Sequence, residues 1–197
     1  MVQVVTSWFP DAFFANLYGI IVLAALMSDE LIPRLTGGRG ISFGKGRDRG
    51  SFILIYLTSL VGLGVGIYLR YQNIGVVPAW IQGLALVFLV IGTVIREWAI
   101  ALLGVYFSRT VKVESGHRLI TAGPYQWFRH PAYTGMLVMY FSIVLGLGTW
   151  VGALFMFIVL LFPTLYRIRV EEKVLLDTFG DEYRSYMERT WRLFPKW

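Results

Sequence analysis

The sequence predicts an all-α integral membrane protein with about five transmembrane helices, the last two forming a short hairpin. Three observations predict this class. Of the 197 residues, 56% are hydrophobic, and they gather in long runs rather than spreading evenly. Charged residues make up 15%, against about 25% in an ordinary soluble domain. The basic residues also alternate between successive connections, the pattern that orients a multi-pass membrane protein. The formal charge of +6 follows from that placement and calls for no nucleic-acid partner. With no cysteine, the chain has no disulfide, thiol nucleophile or cysteine-ligated metal. The N-terminus lacks a basic n-region and a small-residue cleavage site, so the first span is expected to be retained.

The first apolar run covers Ala12 to Met27 and can continue past Asp29-Glu30 to Ile32. The second is Phe52 to Leu69; the glycines at 62, 64 and 66 inside it read as helix-packing positions. The third is Ala79 to about Ile95, extendable through Arg96-Glu97 to Leu103. These two adjacent charges point to different sides of a helix and, if buried, form a polar lining, since intramembrane charges are usually functional. The last run, Gly135 to Tyr166, is too long for one span of about 20 residues. Gly146 to Trp150 interrupts it, so it reads as a hairpin of two shortish helices; a single strongly tilted helix is the alternative.

The basic residues support five crossings. The tail before Phe13 and the Gly146–Trp150 turn have none. The first loop carries Arg34, Arg39, Lys45, Arg47 and Arg49, whereas the second has only Arg70 at its edge. The third carries Arg109, Lys112, Arg118 and Arg129, and the C-terminal segment is rich in Arg and Lys. This predicts the N-terminus outside and the C-terminus in the cytoplasm. Residues 1–197 then form one membrane domain: the first three spans and connections at 12–109, and a part at 110–197 containing the hairpin 135–166. The third loop and the tail cap the cytoplasmic face. The tail from Arg167 to Arg189 is helix-compatible, with Gly180 interrupting and Asp181 available to cap a short helix from Glu182 to Glu188.

Two polar clusters bracket the hairpin: GPYQWFRHPAYTG, from Gly123 to Gly135, and RIRVEEKVLLDTFGDEY, from Arg167 to Tyr183. Taken residue by residue they admit two readings. One is structural: interfacial basic residues on lipid phosphates, a proline in a first helical turn, an aromatic belt of Tyr125, Trp127 and Tyr133, and an exposed Arg167–Glu171 pair worth a few tenths of a kcal/mol. The other is a reaction site at the membrane–water boundary. A metal site is not expected, because His117 and His130 are the only histidines and lie in no ligand spacing. No P-loop or nucleophile-elbow motif is present.

The combination is more specific than its parts. HRLITAGPYQWFRHPAYTG, then a hydrophobic hairpin, then R-x-x-x-EE with a downstream FG-x-EY, resembles the isoprenylcysteine carboxyl methyltransferase family. It is also similar to the related phospholipid N-methyltransferases. The resemblance covers about Thr110 to Pro195. It implies an S-adenosylmethionine pocket roofed by the tail, with His117, Arg118, Leu119 and Ile120 lining it and Val113 contributing. Tyr125 would pack on the cofactor, and His130, Pro131, Ala132 and Tyr133 would cover its other side. Glu171 would anchor the cofactor, and Arg167 would face the methyl-accepting group.

The implied acceptor is a prenylated cysteine carboxylate or a similar lipid-linked carboxylate, entering from the bilayer. Methylation of a phospholipid amine, with His130 or Glu172 assisting, is the alternative. A non-enzymatic lipid-binding protein is the different-class alternative. Sterol reductases share a similar C-terminal pattern but are much longer. The family's best-known members have extra N-terminal spans, so this near-minimal length points to a prokaryotic cytoplasmic membrane, or to the endoplasmic reticulum in a eukaryote.

Overall fold

A computed structural model describes residues 8–37, 51–107 and 119–194. Helix α1 spans Ala12–Leu35, α2 Ser51–Tyr71, α3 Ala79–Leu103, α4 Pro131–Gly146, α5 Trp150–Phe179 and α6 Asp181–Arg189. Short 3-10 turns occupy Gly104–Tyr106 and Gly123–Gln126. No strand occurs among the described residues; two isolated bridges join Val76 to Thr149 and Phe128 to Trp191. Four helices, α1, α2, α3 and α5, are long and apolar enough to cross a membrane, and α4 is a shorter apolar helix. The chain is an integral, multi-pass membrane protein.

Each helix end has a local cause. Asp11 caps α1, its carboxylate accepting from Phe14 N at 2.7 Å. Apolar character persists past Asp29-Glu30, and α1 runs on to Leu35. Helix α3 likewise continues through Arg96-Glu97 to Leu103 and ends at Gly104, with φ 49°. Thr149 caps α5 by accepting from Gly152 N at 3.2 Å.

The hairpin differs from expectation in its bounds. Its first helix begins four residues earlier, at Pro131, whose fixed φ suits a first turn. Its second helix does not stop with the apolar run at Tyr166 but continues unbroken to Phe179, so it is not short. Nothing between Arg167 and Phe179 breaks a helix; only the hydropathy changes. Gly180, with φ 52°, makes the break, and it rather than Asp181 is the N-cap residue of α6. Asp181 instead lies in the first turn and accepts from Arg184 Nη1 at 2.9 Å.

Helix α4 sits at the centre. Its buried residues, including Thr134, Met136, Leu137, Met139, Ser142 and Val144, face all around the axis, as expected of a helix enclosed by others. One core cluster joins α4 to α2 and α5 through Ile55, Leu137, Val144, Met156 and Leu160. A second joins it to α1 and α3 through Ala25, Leu89, Met139 and Ile143. Gly62 and Gly66 pack tightly on Met156 and Val144, whereas Gly64 faces open space.

The closest approach is between α3 and α4. A Cβ on Gly135 would lie 2.6 Å from Gly92 O and 2.7 Å from Arg96 N. One on Gly92 would lie 2.8 Å from Met139 N and 2.9 Å from Gly135 O. These obstacles are backbone atoms and cannot swing aside. Beside this crossing, Arg96 is buried and paired with Asp29 of α1, its Nη2 3.1 Å from Asp29 Oδ2, while its Nη1 donates to Ala132 O at 3.1 Å. Glu97 faces α1 separately and accepts from Ser28 Oγ at 3.1 Å. We expect Gly135→Ala to destabilise the bundle by about 1–3 kcal/mol through overpacking. Thermal melting in detergent, with Gly64→Ala as control, checks this: the first variant should melt lower and the second should match the parent.

Candidate active site

The end of α5 and the start of α4 meet at one end of the bundle. Residues 130 and 133 flank the first turn of α4, and residues 167 and 171 lie one helical turn apart on α5. The structure brings four expected residues together here. Tyr133 Oη donates to Glu171 Oε1, and Arg167 Nε contacts both Tyr133 Oη and, at 3.0 Å, Glu171 Oε1. His130 Nδ1 stands 3.6 Å from Glu171 Oε2. The Arg167–Glu171 pair is therefore not the exposed surface pair of the structural reading: the Arg167 side chain is 3% exposed and that of Glu171 is 21% exposed. Glu171 presents the more open face of the cluster.

A second ionic group lies behind the first. Consecutive residues on a helix point about 100° apart, so Glu172 faces away from Glu171. Arg129 Nε donates to Glu172 Oε1 at 3.0 Å, and Arg192 Nη2 donates to Oε2 at 2.6 Å. His130 Nε2 is 3.4 Å from Glu172 Oε1 but makes no aligned hydrogen bond, and this nitrogen is buried. Arg129 also donates from Nη1 to Met187 O at 3.1 Å and Thr190 O at 2.6 Å. Sequence reading named Arg129 and Glu172 without joining them, and it gave Arg192 no role. The adjacent EE pair on a helix was the available signal that two separate partners were needed.

The chain after α6 returns to complete the site. Trp191 N donates to Trp127 O at 2.8 Å, Arg129 N to Trp191 O at 2.7 Å and His130 N to Arg192 O at 3.2 Å. Thr134 Oγ1 donates to Leu193 O at 2.8 Å. From α6, Tyr186 Oη donates to Tyr125 O at 2.7 Å. Burial pushes the Tyr183 and Tyr186 phenols above their ordinary range, so both stay protonated.

Tyr125 is buried in the 3-10 turn, its hydroxyl donating to Ala99 O at 3.3 Å. Burial first, then the nearby Tyr186 and Glu171, hold its phenol well above the usual range. Pro131 is buried in the first turn of α4, and Ala132 beside it gives its carbonyl to Arg96. Leu119 and Ile120 lead into the 3-10 turn half-buried. Val113, His117 and Arg118 lie outside the described residues.

The donor set of this cluster fits the amino-acid end of an S-adenosylmethionine. Glu171 is a carboxylate whose Oε2 stands 3.6 Å from the His130 imidazole, while the buried His130 Nε2 has no aligned acceptor among the described residues. A cationic amino group beside such a carboxylate is favoured by charge and hydrogen bonding.

Fold and cluster together define a multi-pass membrane protein with a buried ionic site at one end of a helix bundle. Residues 84–177 match the sequence model of the isoprenylcysteine carboxyl methyltransferase family. Protein-S-isoprenylcysteine O-methyltransferase B of Arabidopsis thaliana is 32% identical over 112 residues, covering 56% of this chain and 57% of the relative. The Schizosaccharomyces pombe enzyme is 36% identical over 110 residues, 55% of this chain and 47% of its own length. The human enzyme is 34% identical over 117 residues, 56% of this chain and 39% of its own length. The chain thus spans about half the length of these curated relatives. A solved structure of the eukaryotic intramembrane Ras methyltransferase ICMT shares the fold, with a TM-score of 0.66 at 23% identity, over 92% of this chain and 66% of that one. Over residues 84–177 the chain is similar to the isoprenylcysteine carboxyl methyltransferase family, in sequence to its curated members and in fold to its solved structure. The family match begins inside α3, earlier than Thr110, where the motif resemblance starts, and ends before Arg192.

Removing Glu172 would leave the buried Arg129 without its carboxylate. We expect Glu172→Ala to cost about 3–5 kcal/mol and to loosen residues 190–194. Limited proteolysis should show earlier cleavage there than in the parent.

Proposed function

We propose that this protein transfers a methyl group from S-adenosylmethionine to the C-terminal carboxylate of a prenylated cysteine, or to a similar lipid-linked carboxylate. The observation that carries this reading is the Tyr133–Arg167–Glu171 cluster, half closed at the end of a membrane bundle and inside the segment that matches the family. The relatives are named as enzymes of this activity.

Glu171 would hold the cofactor's amino group through Oε2, with His130 and Tyr133 beside it and Tyr125 beneath. When bound, the cofactor supplies a methyl group already activated on a sulfonium. The acceptor carboxylate, with a pKa of about 3.3–3.7, is ionised at neutral pH and needs no general base. The task left to the chain is to place its oxygen in line and exclude water. Arg167 would do the placing, since a guanidinium fork matches a carboxylate. Tyr133 and Glu171 both engage its Nε and so set the plane of that fork. The alternation of basic residues supports five crossings, with the N-terminus outside and this site on the cytoplasmic side.

Phospholipid N-methylation is the lesser reading. It asks for a group to take a proton from an amine; Glu172 has both oxygens held by Arg129 and Arg192, which leaves that task to His130.

A methyl-transfer assay on detergent-purified protein tests the proposal, with labelled S-adenosylmethionine and with a farnesylated cysteine analogue and phosphatidylethanolamine as competing acceptors. Base-labile label on the prenylcysteine is the expected result; label on the phospholipid amine would move the protein to the lesser reading. Glu171→Ala should weaken cofactor binding, measured by calorimetry. Arg167→Ala should lower kcat by on the order of a hundredfold or more while changing cofactor affinity little.

A further inference from the structure

At the opposite end of the bundle a second charged group stands by itself. Arg70 lies in the last turn of α2 and is 8% exposed. Its Nη1 donates to Asn73 Oδ1 at 2.8 Å, its Nε is buried with no acceptor among the described residues, and its Cζ lies over the Trp8 ring, 5.6 Å from the centroid. No carboxylate among the described residues pairs with it. Asp11, the acid nearest to Trp8 in sequence, spends its carboxylate on Phe14 N as the cap of α1. A buried charge without a counter-charge is strongly unfavourable. The carbonyl end of α2 offsets part of that cost but gives Nε no acceptor. The Trp8 ring attracts the charge but offers no lone pair to the remaining N–H donors.

The surroundings are rigid. Gln82 Nε2 donates to Trp8 O at 2.8 Å. The α4–α5 turn is stitched to residues 74–77 by Val77 N to Gly148 O at 3.0 Å, Trp150 N to Gly75 O at 2.9 Å and Thr149 Oγ1 to Ile74 O at 2.8 Å. A Cβ on Gly148 would lie 2.9 Å from Arg70 Nε, so only a glycine lets the α4–α5 turn pack against this side chain and leave its outer edge at the surface. Tyr68, Tyr71, Trp80 and Trp150 are exposed around it. Exposed tyrosine and tryptophan at helix ends mark the depth of lipid headgroups.

We propose that Arg70 is the core of a site for the phosphate of a membrane lipid, in the leaflet opposite the candidate active site. The phosphate oxygens supply the acceptors and the negative charge that the described residues do not. A lipid rather than a free phosphate is favoured by the depth of the site and by the apolar helix faces running inward from it. This inference does not depend on the methyl-transfer reading.

The test uses the full chain, delipidated in an uncharged detergent, with thermal melting read alone and with phosphatidylglycerol, diacylglycerol or inorganic phosphate. Phosphatidylglycerol should raise the melting temperature of the parent protein and stay bound in native mass spectrometry. That increment should vanish in Arg70→Gln. The proposal is overturned if folded Arg70→Gln keeps the full increment, or if diacylglycerol or inorganic phosphate alone reproduces it. Should Arg70→Gln not fold, Arg70→Lys carries the test, because it preserves the charge at the helix end. Its increment should fall below about half of the parent value, since an ammonium lacks the planar fork, and an undiminished increment overturns the proposal.

Discussion

The contact on which the rest depends is the crossing of α3 and α4 at Gly92 and Gly135. With no side chain on either residue, two backbones come close enough for a Cβ to collide with carbonyl and amide atoms. In lipid, where helices gain no hydrophobic advantage by associating, such close approach is a principal source of packing energy. It also sets the position of everything near it. Arg96, one turn along α3 from Gly92, reaches Ala132 O and Asp29 at once, so α1 and the first turn of α4 are tied to the same guanidinium. His130 and Tyr133 inherit their placement from that turn. A larger residue at either glycine would push α4 away from α3 and displace the turn that carries His130 and Tyr133.

How far the sequence could be read depended on the distance over which each interaction acts. The long helices were legible from hydropathy, and Arg167–Glu171 from its spacing within one helix. The RHP-x-Y segment announced itself through motif density. What stayed hidden were partners joined only by the fold. Arg129 and Glu172 are 43 residues apart, Arg192 and Glu172 are 20 apart, and Asp29 and Arg96 are 67 apart. No periodicity relates such positions. The overrun of α5 past Tyr166 was hidden for a different reason: hydropathy reports where apolar surroundings end, whereas a helix ends where backbone geometry changes, and that is at Gly180.

The two ends of the bundle treat charge differently. At the candidate active site every described carboxylate has a cationic neighbour, and the cluster is organised around which oxygen remains least engaged. Glu172 is saturated and holds the returning chain against α4; Glu171 keeps one oxygen toward an imidazole and toward the opening. This division between adjacent residues follows from the helical turn, which sends them to different neighbours. At the other end, Arg70 has an amide and an indole ring for company but no anion among the described residues. The fold thus encloses acids with bases on one side and leaves a base to its surroundings on the other.

The length of α4 has a consequence for depth. Sixteen residues rise about 24 Å, whereas the hydrocarbon layer is about 30 Å thick. The turn after α4 is pinned beside Trp150 and Arg70, and the exposed aromatics there put it at headgroup level by their chemistry. Measured inward from that level, the other end of α4 stops several ångströms short of the opposite headgroups. On that placement His130 and Tyr133 would lie below the level of the opposite headgroups, between longer helices. A water-soluble molecule must descend to reach them, and a lipid-anchored one need only rise partway out of its leaflet. On the proposed reading, the shortness of one enclosed helix would set the level at which the two meet.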